Sequence, residues 1–158
     1  MEDPCWELEC LKKCKRMKNL AFVLGIFLIF GACNPSKQYT KKGTELYLLG
    51  NYDDAATYFY NALLANPSNL EAREALKKSG NNVLTSKFST FGKYVVENRS
   101  GDAVRQYLSN KKYYEKIKAV GVDLEWPTMY DEVYSDIKNE YIGKLYEDGL
   151  NLMKENKY

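Results

Sequence analysis

The sequence contains no histidine among its 158 residues. Histidine is the commonest general base and a frequent ligand of catalytic zinc, so its absence excludes the common catalytic triads and most catalytic zinc sites. The chain also lacks a Gly-rich phosphate loop, a nucleophile elbow and a C-x-x-C pair. We therefore expect no enzyme activity, no catalytic residue, no cofactor and no metal. A formal net charge of only +2 gives no reason to expect nucleic-acid binding.

Cysteine is scarce and unevenly placed. Three of the four cysteines lie within residues 1–16, where they lack paired spacing and supply too few ligands for a structural zinc site. That segment mixes acids and bases ahead of an otherwise complete signal sequence, so we interpret it as a mis-assigned or non-native leader and Met17 as the true start. Removal of a signal sequence would leave Cys33 as the only cysteine, which excludes an internal disulfide. The three leader cysteines are Cys5, Cys10 and Cys14.

Long apolar runs are also few. Leu20–Phe30 is apolar throughout, follows the positive charge of Lys18, and ends in the small residues Gly31 and Ala32. This order is typical of a secretory signal, here residues 17–32. The run is short for a spanning helix, which needs about 20 apolar residues. Besides a lipoprotein signal, which the next residues indicate, the alternatives for this segment are an ordinary cleaved signal and an uncleaved signal anchor.

Phe30-Gly31-Ala32-Cys33 resembles the lipobox of bacterial lipoproteins. The resemblance implies cleavage between Ala32 and Cys33, a diacylglycerol thioether on Cys33, and acylation of its new amino group by a chain such as palmitate. Phe30 departs from the leucine usual at that position. Residues 33–37 would then be the lipidated cysteine and its tether. Asn34 replaces the aspartate of inner-membrane retention signals, so the resemblance implies a cell-envelope location, at the outer membrane facing the periplasm.

Residues 38–69 place Gly43, Gly50, Ala55-x3-Phe59 and Pro67 at spacings that suit a hairpin of two antiparallel helices, and in this they resemble a tetratricopeptide repeat (TPR). Small residues allow the helices to approach closely, glycine ends the first helix, and proline stops the second. In the family pattern W-x2-L-G-x2-Y, this chain has Tyr39, Lys42 and Leu46 in place of the tryptophan, leucine and tyrosine. The residues that carry the resemblance are Gly43, Gly50, Tyr52, Ala55, Phe59, Ala62 and Pro67.

The rest of the chain predicts further helices and no strand. In residues 70–126 we expect degenerate repeats: a helix over 69–87 that is capped by Asn69 and has a candidate break at Gly80-Asn81-Asn82, a second over 88–98, and a third over 102–120. A loop over 121–126 follows.

Residues 127–158 predict a long helical region opened by Pro127, a favoured first-turn residue. Gly149 and Tyr158 repeat the spacing of Gly43 and Tyr52, as in the first helix of another repeat that is either truncated or a cap. The fold class expected is all-α, with TPR-like hairpins forming a short α-solenoid after the signal peptide.

The TPR resemblance implies that the first helix of the repeat lines a groove for a protein or peptide partner. We therefore predict a membrane-anchored interaction scaffold in the cell envelope. The first alternative is a glycan- or peptidoglycan-binding lipoprotein that uses tyrosines and Trp126. The second is the N-terminal part of a larger envelope protein. The predicted partner-binding face comprises Lys37, Thr40, Thr44, Tyr47 and Leu48.

Overall fold

The computed structural model describes residues 34–155, in which every regular element is an α-helix. The all-α class is therefore confirmed for this part of the chain. No helix in this range is both long and apolar enough to cross a membrane. The helices are α1 (Pro35–Leu48), α2 (Tyr52–Ala65), α3 (Leu70–Val96), α4 (Ser100–Lys118) and α5 (Met129–Glu155).

Helices α1 and α2 form an antiparallel hairpin. The Ser36 hydroxyl at the start of α1 donates a hydrogen bond of 2.9 Å to the Ala62 carbonyl near the end of α2. Gly43 permits close approach, because a Cβ atom there would lie 2.7 Å from Cε1 of Phe59. Gly50 adopts a φ of +77° after α1, as expected of a glycine that ends a helix.

Tyr52 and Pro67 lie at the two ends of α2. Tyr52 does not enter the core between the helices, because its side chain is 38% exposed and its ring packs edge-on against Tyr47. Pro67 follows α2 in an exposed turn, and its carbonyl accepts a hydrogen bond from Arg73. The remaining repeat residues, Ala55, Phe59 and Ala62, are all buried.

Asn69 joins the beginnings of α1 and α3. Its Oδ1 atom accepts a hydrogen bond from the Ala72 amide at 3.0 Å, which makes it the N-cap of α3. Its Nδ2 atom donates to the hydroxyls of Ser36 and Thr40 at 2.8 and 3.0 Å. Helix α3 therefore starts beside the start of α1.

The break considered at Gly80-Asn81-Asn82 does not occur, and the separate helix predicted over 88–98 is wrong, because α3 runs without a break from Leu70 to Val96. Tertiary contacts offset the low helix propensity of Gly80-Asn81-Asn82. A Cβ atom on Gly80 would lie 2.9 Å from Cδ2 of Leu124, so glycine leaves the room that Leu124 fills. The Asn81 side chain accepts a hydrogen bond of 3.0 Å from the Glu125 amide. The segment is thus the part of α3 that holds the following loop.

Aromatic rings pack α5 against α3 and α4. Tyr107 stacks on Tyr134 with a centroid separation of 3.8 Å, and Phe88 stacks on Tyr130 at 4.5 Å. At the start of α4, a Cβ atom on Gly101 would lie 3.0 Å from the Tyr141 ring. Because Gly101 lies beside Tyr141 while the later residue Tyr107 lies beside the earlier residue Tyr134, α4 and α5 are antiparallel.

Two boundaries differ slightly from the prediction. Helix α4 covers residues 100–118 instead of 102–120. Helix α5 begins at Met129, while the Pro127 carbonyl accepts a hydrogen bond from Tyr130 just before it.

The second hairpin is longer than the first. Helices α1 and α2 have 14 residues each, whereas α3 has 27 and α4 has 19. Near the end of α5, a Cβ atom on Gly149 would meet nothing within 4 Å, in contrast to Gly43. Gly149 thus makes no close helix contact within residues 34–155, and Tyr158 lies outside the described residues.

Candidate peptide-binding groove

A groove lies between α1 and α3, with one residue of α2 at its base. Its volume is ≈ 280 Å³. The two outer helices contribute side chains to its walls because their N-terminal ends are held together by Asn69. We call this feature the α1–α3 groove, and its lining residues are Thr44, Tyr47, Phe59, Glu71, Glu74, Ala75 and Lys78.

The base and one wall of the α1–α3 groove are aromatic. Phe59 is 1% exposed, and its ring is held in place against Gly43. Tyr47 is half-buried, and its ring meets that of Tyr52 edge-on with a centroid separation of 5.2 Å. A tyrosine held in this way offers apolar contact at little entropic cost, as hot-spot residues of binding surfaces do.

The opposite wall of the groove carries charge. Glu71, Glu74 and Lys78 are exposed, and within residues 34–155 none of the three forms an ion pair. The wall therefore carries two negative charges and one positive charge around the apolar contact of Ala75. This arrangement favours a ligand that has an apolar group beside a cationic one.

Two of the five residues predicted to form the partner-binding face line the groove, namely Thr44 and Tyr47. Thr40 is only 4% exposed and bonds to Ser36 and Asn69, so it stabilises the helix packing and is not accessible to a partner. Lys37 and Leu48 are exposed at the two ends of α1, outside the groove.

The α3 wall of the groove was not predicted from the sequence. Its four residues follow helical same-face spacing of three, four and seven positions, so the signal was present. The TPR resemblance points only to the first helix of the repeat as the binding face, and nothing local to α3 indicates that this face of α3 lies opposite α1. The missed residues are Glu71, Glu74, Ala75 and Lys78.

A second polar feature surrounds Asp131 at the start of α5. Its carboxylate accepts hydrogen bonds from the Tyr107 hydroxyl and, at 2.9 Å, from Nε1 of Trp126. These bonds, that of Tyr107 first, hold the pKa of Asp131 below its usual range. Burial, followed by the hydrogen bond to Asp131, raises the pKa of the Tyr107 hydroxyl. The ionised carboxylate therefore fastens α5 to α4 and to the preceding loop.

Trp126 packs within its own domain. Its ring makes edge contacts with those of Phe88, Tyr114 and Tyr107, at centroid separations of 5.0, 5.2 and 5.7 Å. With its Nε1 atom also bonded to Asp131, the indole is held among protein groups. This environment gives no support to Trp126 as a stacking platform for a sugar.

A cluster of ion pairs lies at the start of α4. Asp102 is bonded to both Arg99 and Arg105, and these hydrogen bonds, that of Arg105 first, lower the pKa of Asp102. Both arginines are largely exposed, so the pairs contribute little to stability. Because each guanidinium already has a carboxylate partner, we interpret the cluster as a surface network.

The chain has no match among protein-family models, curated proteins or solved structures. A function is therefore inferred from the helix packing, from the α1–α3 groove and from the sequence of residues 17–33. Ala32 and Cys33, the predicted cleavage and lipidation residues, lie outside the described residues.

Proposed function

We propose that the protein is a lipoprotein of the bacterial cell envelope that binds a protein or peptide partner in the α1–α3 groove. It acts as a membrane-anchored interaction scaffold and not as an enzyme. The observation that carries the proposal is the groove itself, because it combines an apolar base, a fixed tyrosine and unpaired charges in one concave site.

The packing of α1 on α2 supports a TPR-like repeat. Gly43 lies where a larger side chain would collide with Phe59, and Gly50 has the positive φ that ends the first helix. Ala55 and Ala62 are fully buried in the same hairpin. In this proposal α1–α2 is a TPR-like hairpin, and the longer α3–α4 is a degenerate one that extends it into a short α-solenoid.

The anchor is proposed from the sequence of residues 17–33. A diacylglycerol group on Cys33, together with an acyl chain on its amino group, provides more than one lipid chain, which stable anchoring requires. The proposed location is the outer membrane, facing the periplasm, because Asn34 follows the cysteine. The partner is then another protein of the envelope.

The chemistry of the groove favours a particular kind of peptide. An apolar side chain would contact Phe59 and Tyr47, while a neighbouring lysine or arginine would meet Glu71 or Glu74. Opposite charges across an interface mainly steer association and set specificity, so binding should weaken as the salt concentration rises.

Site-specific photocrosslinking in the producing bacterium tests the groove. A photoreactive amino acid at Thr44 should crosslink a defined partner, whereas the same amino acid at Thr57, an exposed threonine of α2 outside the groove, should not. Tyr47→Ala should weaken binding of that partner about 30-fold, a loss typical of a hot-spot residue.

Tyr146→Ala is the matched control, because Tyr146 is an exposed tyrosine of α5 that does not line the groove. Equal crosslinking from Thr44 and Thr57, or full binding by Tyr47→Ala, would contradict a partner-binding role for the groove.

A further inference from the structure

Two exposed leucines flank the turn between α2 and α3. Leu64, in the last turn of α2, is 59% exposed, and Leu70, the first residue of α3, is 72% exposed. Both side chains therefore present apolar surface at the same turn. Single exposed leucines are common on protein surfaces and need no explanation. This pair differs from such single leucines because it lies beside the start of α1.

The same turn lies beside the beginning of α1. The Ser36 hydroxyl donates to the Ala62 carbonyl, two residues before Leu64, and accepts from Asn69, the residue before Leu70. These bonds are 2.9 and 2.8 Å long, so the start of α1, the end of α2 and the start of α3 form one end of the helical domain. We call it the α1 start face.

Very little chain separates this face from the proposed lipidation site. Helix α1 begins at Pro35, so only Asn34 lies between it and Cys33. Two residue steps of extended chain span at most about 7 Å. This step rests on the proposed function, since it requires that Cys33 carries lipid. Once Cys33 is fixed at the bilayer surface, the start of α1 cannot lie farther from that surface than this short reach.

We propose that the α1 start face lies directly on the lipid bilayer, with Leu64 and Leu70 in contact with the membrane interface. The occupant of this apolar surface is a lipid headgroup layer and the upper part of its acyl chains. Apolar side chains partition into this region, and their burial adds to the affinity that the lipid anchor provides. The domain is therefore held on the membrane in one orientation, and does not tumble freely on a tether.

Fluorescence quenching by brominated lipids tests the orientation. The full chain is produced with its own signal, purified from membranes, and reconstituted into phosphatidylethanolamine–phosphatidylglycerol vesicles that contain brominated acyl chains. Leu64→Cys, Leu70→Cys and Leu48→Cys each place one thiol for a bimane label, because the Cys33 thiol is used in the thioether.

Leu48 is the matched control, since it is 80% exposed but lies at the far end of α1. Helix geometry places it about 20 Å along the helix axis from Pro35.

We expect the labels at Leu64 and Leu70 to be quenched at least about threefold more strongly than the label at Leu48, because side chains in the membrane interface lie close to the brominated acyl chains. Intact mass measured on the same samples reports whether lipid is present. Equal quenching at all three positions of a lipidated chain would overturn the orientation and leave the anchor standing. An unlipidated chain would overturn both the anchor and the orientation. The thermal unfolding temperature of each labelled variant confirms that it is folded.

Discussion

Gly43 is the residue on which the close packing of α1 against α2 depends most directly. Gly43→Ala would place a methyl group 2.7 Å from Cε1 of Phe59, whose ring is buried and has little room to move. We expect a loss of about 1–3 kcal/mol in the free energy of unfolding, typical of overpacking a core. Urea denaturation measures it.

Gly92→Ala is the control for this change, because Gly92 also lies inside a helix but nothing lies within 4 Å of its Cβ position. There the higher helix propensity of alanine should stabilise the protein by about 0.5–1 kcal/mol. If Gly43→Ala stabilised the protein as much as Gly92→Ala, the close contact with Phe59 would be refuted.

Asp131 gives the stability a pH dependence. Its pKa is lowered in the folded protein by hydrogen bonds from Tyr107 and Trp126. A lowered pKa means that the ionised carboxylate stabilises the fold above the unfolded-state pKa of about 3.9, and that this contribution is lost as the pH falls through the lower, folded-state pKa. Asp131→Asn should therefore cost about 1–2 kcal/mol near neutral pH, in line with hydrogen bonds to a charged group.

The difference in unfolding free energy between the wild type and Asp131→Asn should shrink below about pH 4, because protonation removes the same charge. Asp136→Asn is the control, since Asp136 is an exposed residue of the same helix. A difference that stayed constant between neutral pH and pH 3 would show that the charge of Asp131 makes no contribution.

The N-cap residue of α3, Asn69, also connects α3 to α1. Asn69→Ala removes the cap of α3 and both hydrogen bonds to α1, so it should cost about 2–3 kcal/mol. Asn51→Ala removes the cap of α2, where the bond to Asp54 N is long, at 3.4 Å, and exposed. We expect a cost of about 1 kcal/mol or less there. Thermal denaturation of both variants makes the comparison, and equal costs would show that Asn69 acts only as a cap.

The sequence predicted those elements whose signals are local. Gly50 and Asn69 were predicted correctly as helix ends, because glycine adopts the positive φ that ends a helix and the asparagine side chain accepts a hydrogen bond from an amide in the first turn. The break considered at Gly80-Asn81-Asn82 does not occur, because contacts with Leu124 and Glu125 stabilise the helix there. Residues 44 positions away determine that outcome, and no local pattern indicates them.

Only part of the α1–α3 groove was predicted from the sequence, for the same reason. Thr44 and Tyr47 were predicted from the resemblance of α1 to a repeat helix, and both line the groove. Thr40, predicted on the same grounds, is buried, and its hydroxyl accepts a hydrogen bond from Asn69, the N-cap of α3. The charged wall from α3 depends on how the helices pack, which the periodicity of either helix alone does not specify.

At the scale of the whole molecule, the proposed function combines a lipid anchor with the α1–α3 groove. A scaffold fixed to the membrane meets its partner at a raised local concentration, so a groove of modest affinity is sufficient. Glu71→Lys together with Glu74→Lys should reverse the charge of the α3 wall, so partner binding should weaken and should strengthen, not weaken, as the salt concentration rises, because salt then screens a repulsion. Titrations at low and high salt measure this effect, and an unchanged salt dependence would show that these carboxylates do not face the partner.

The intact mass of the protein purified from its native membranes decides whether Cys33 is the lipidated N-terminus of the mature chain. We predict a chain that begins at Cys33 and carries a diacylglycerol group and one further acyl chain. We also predict that Cys33→Ser yields only an unlipidated product that retains the signal sequence. A wild-type protein without lipid, or one whose mass differs from that of Cys33→Ser by the substituted side chain alone, would contradict the anchor and with it the proposed role at the membrane.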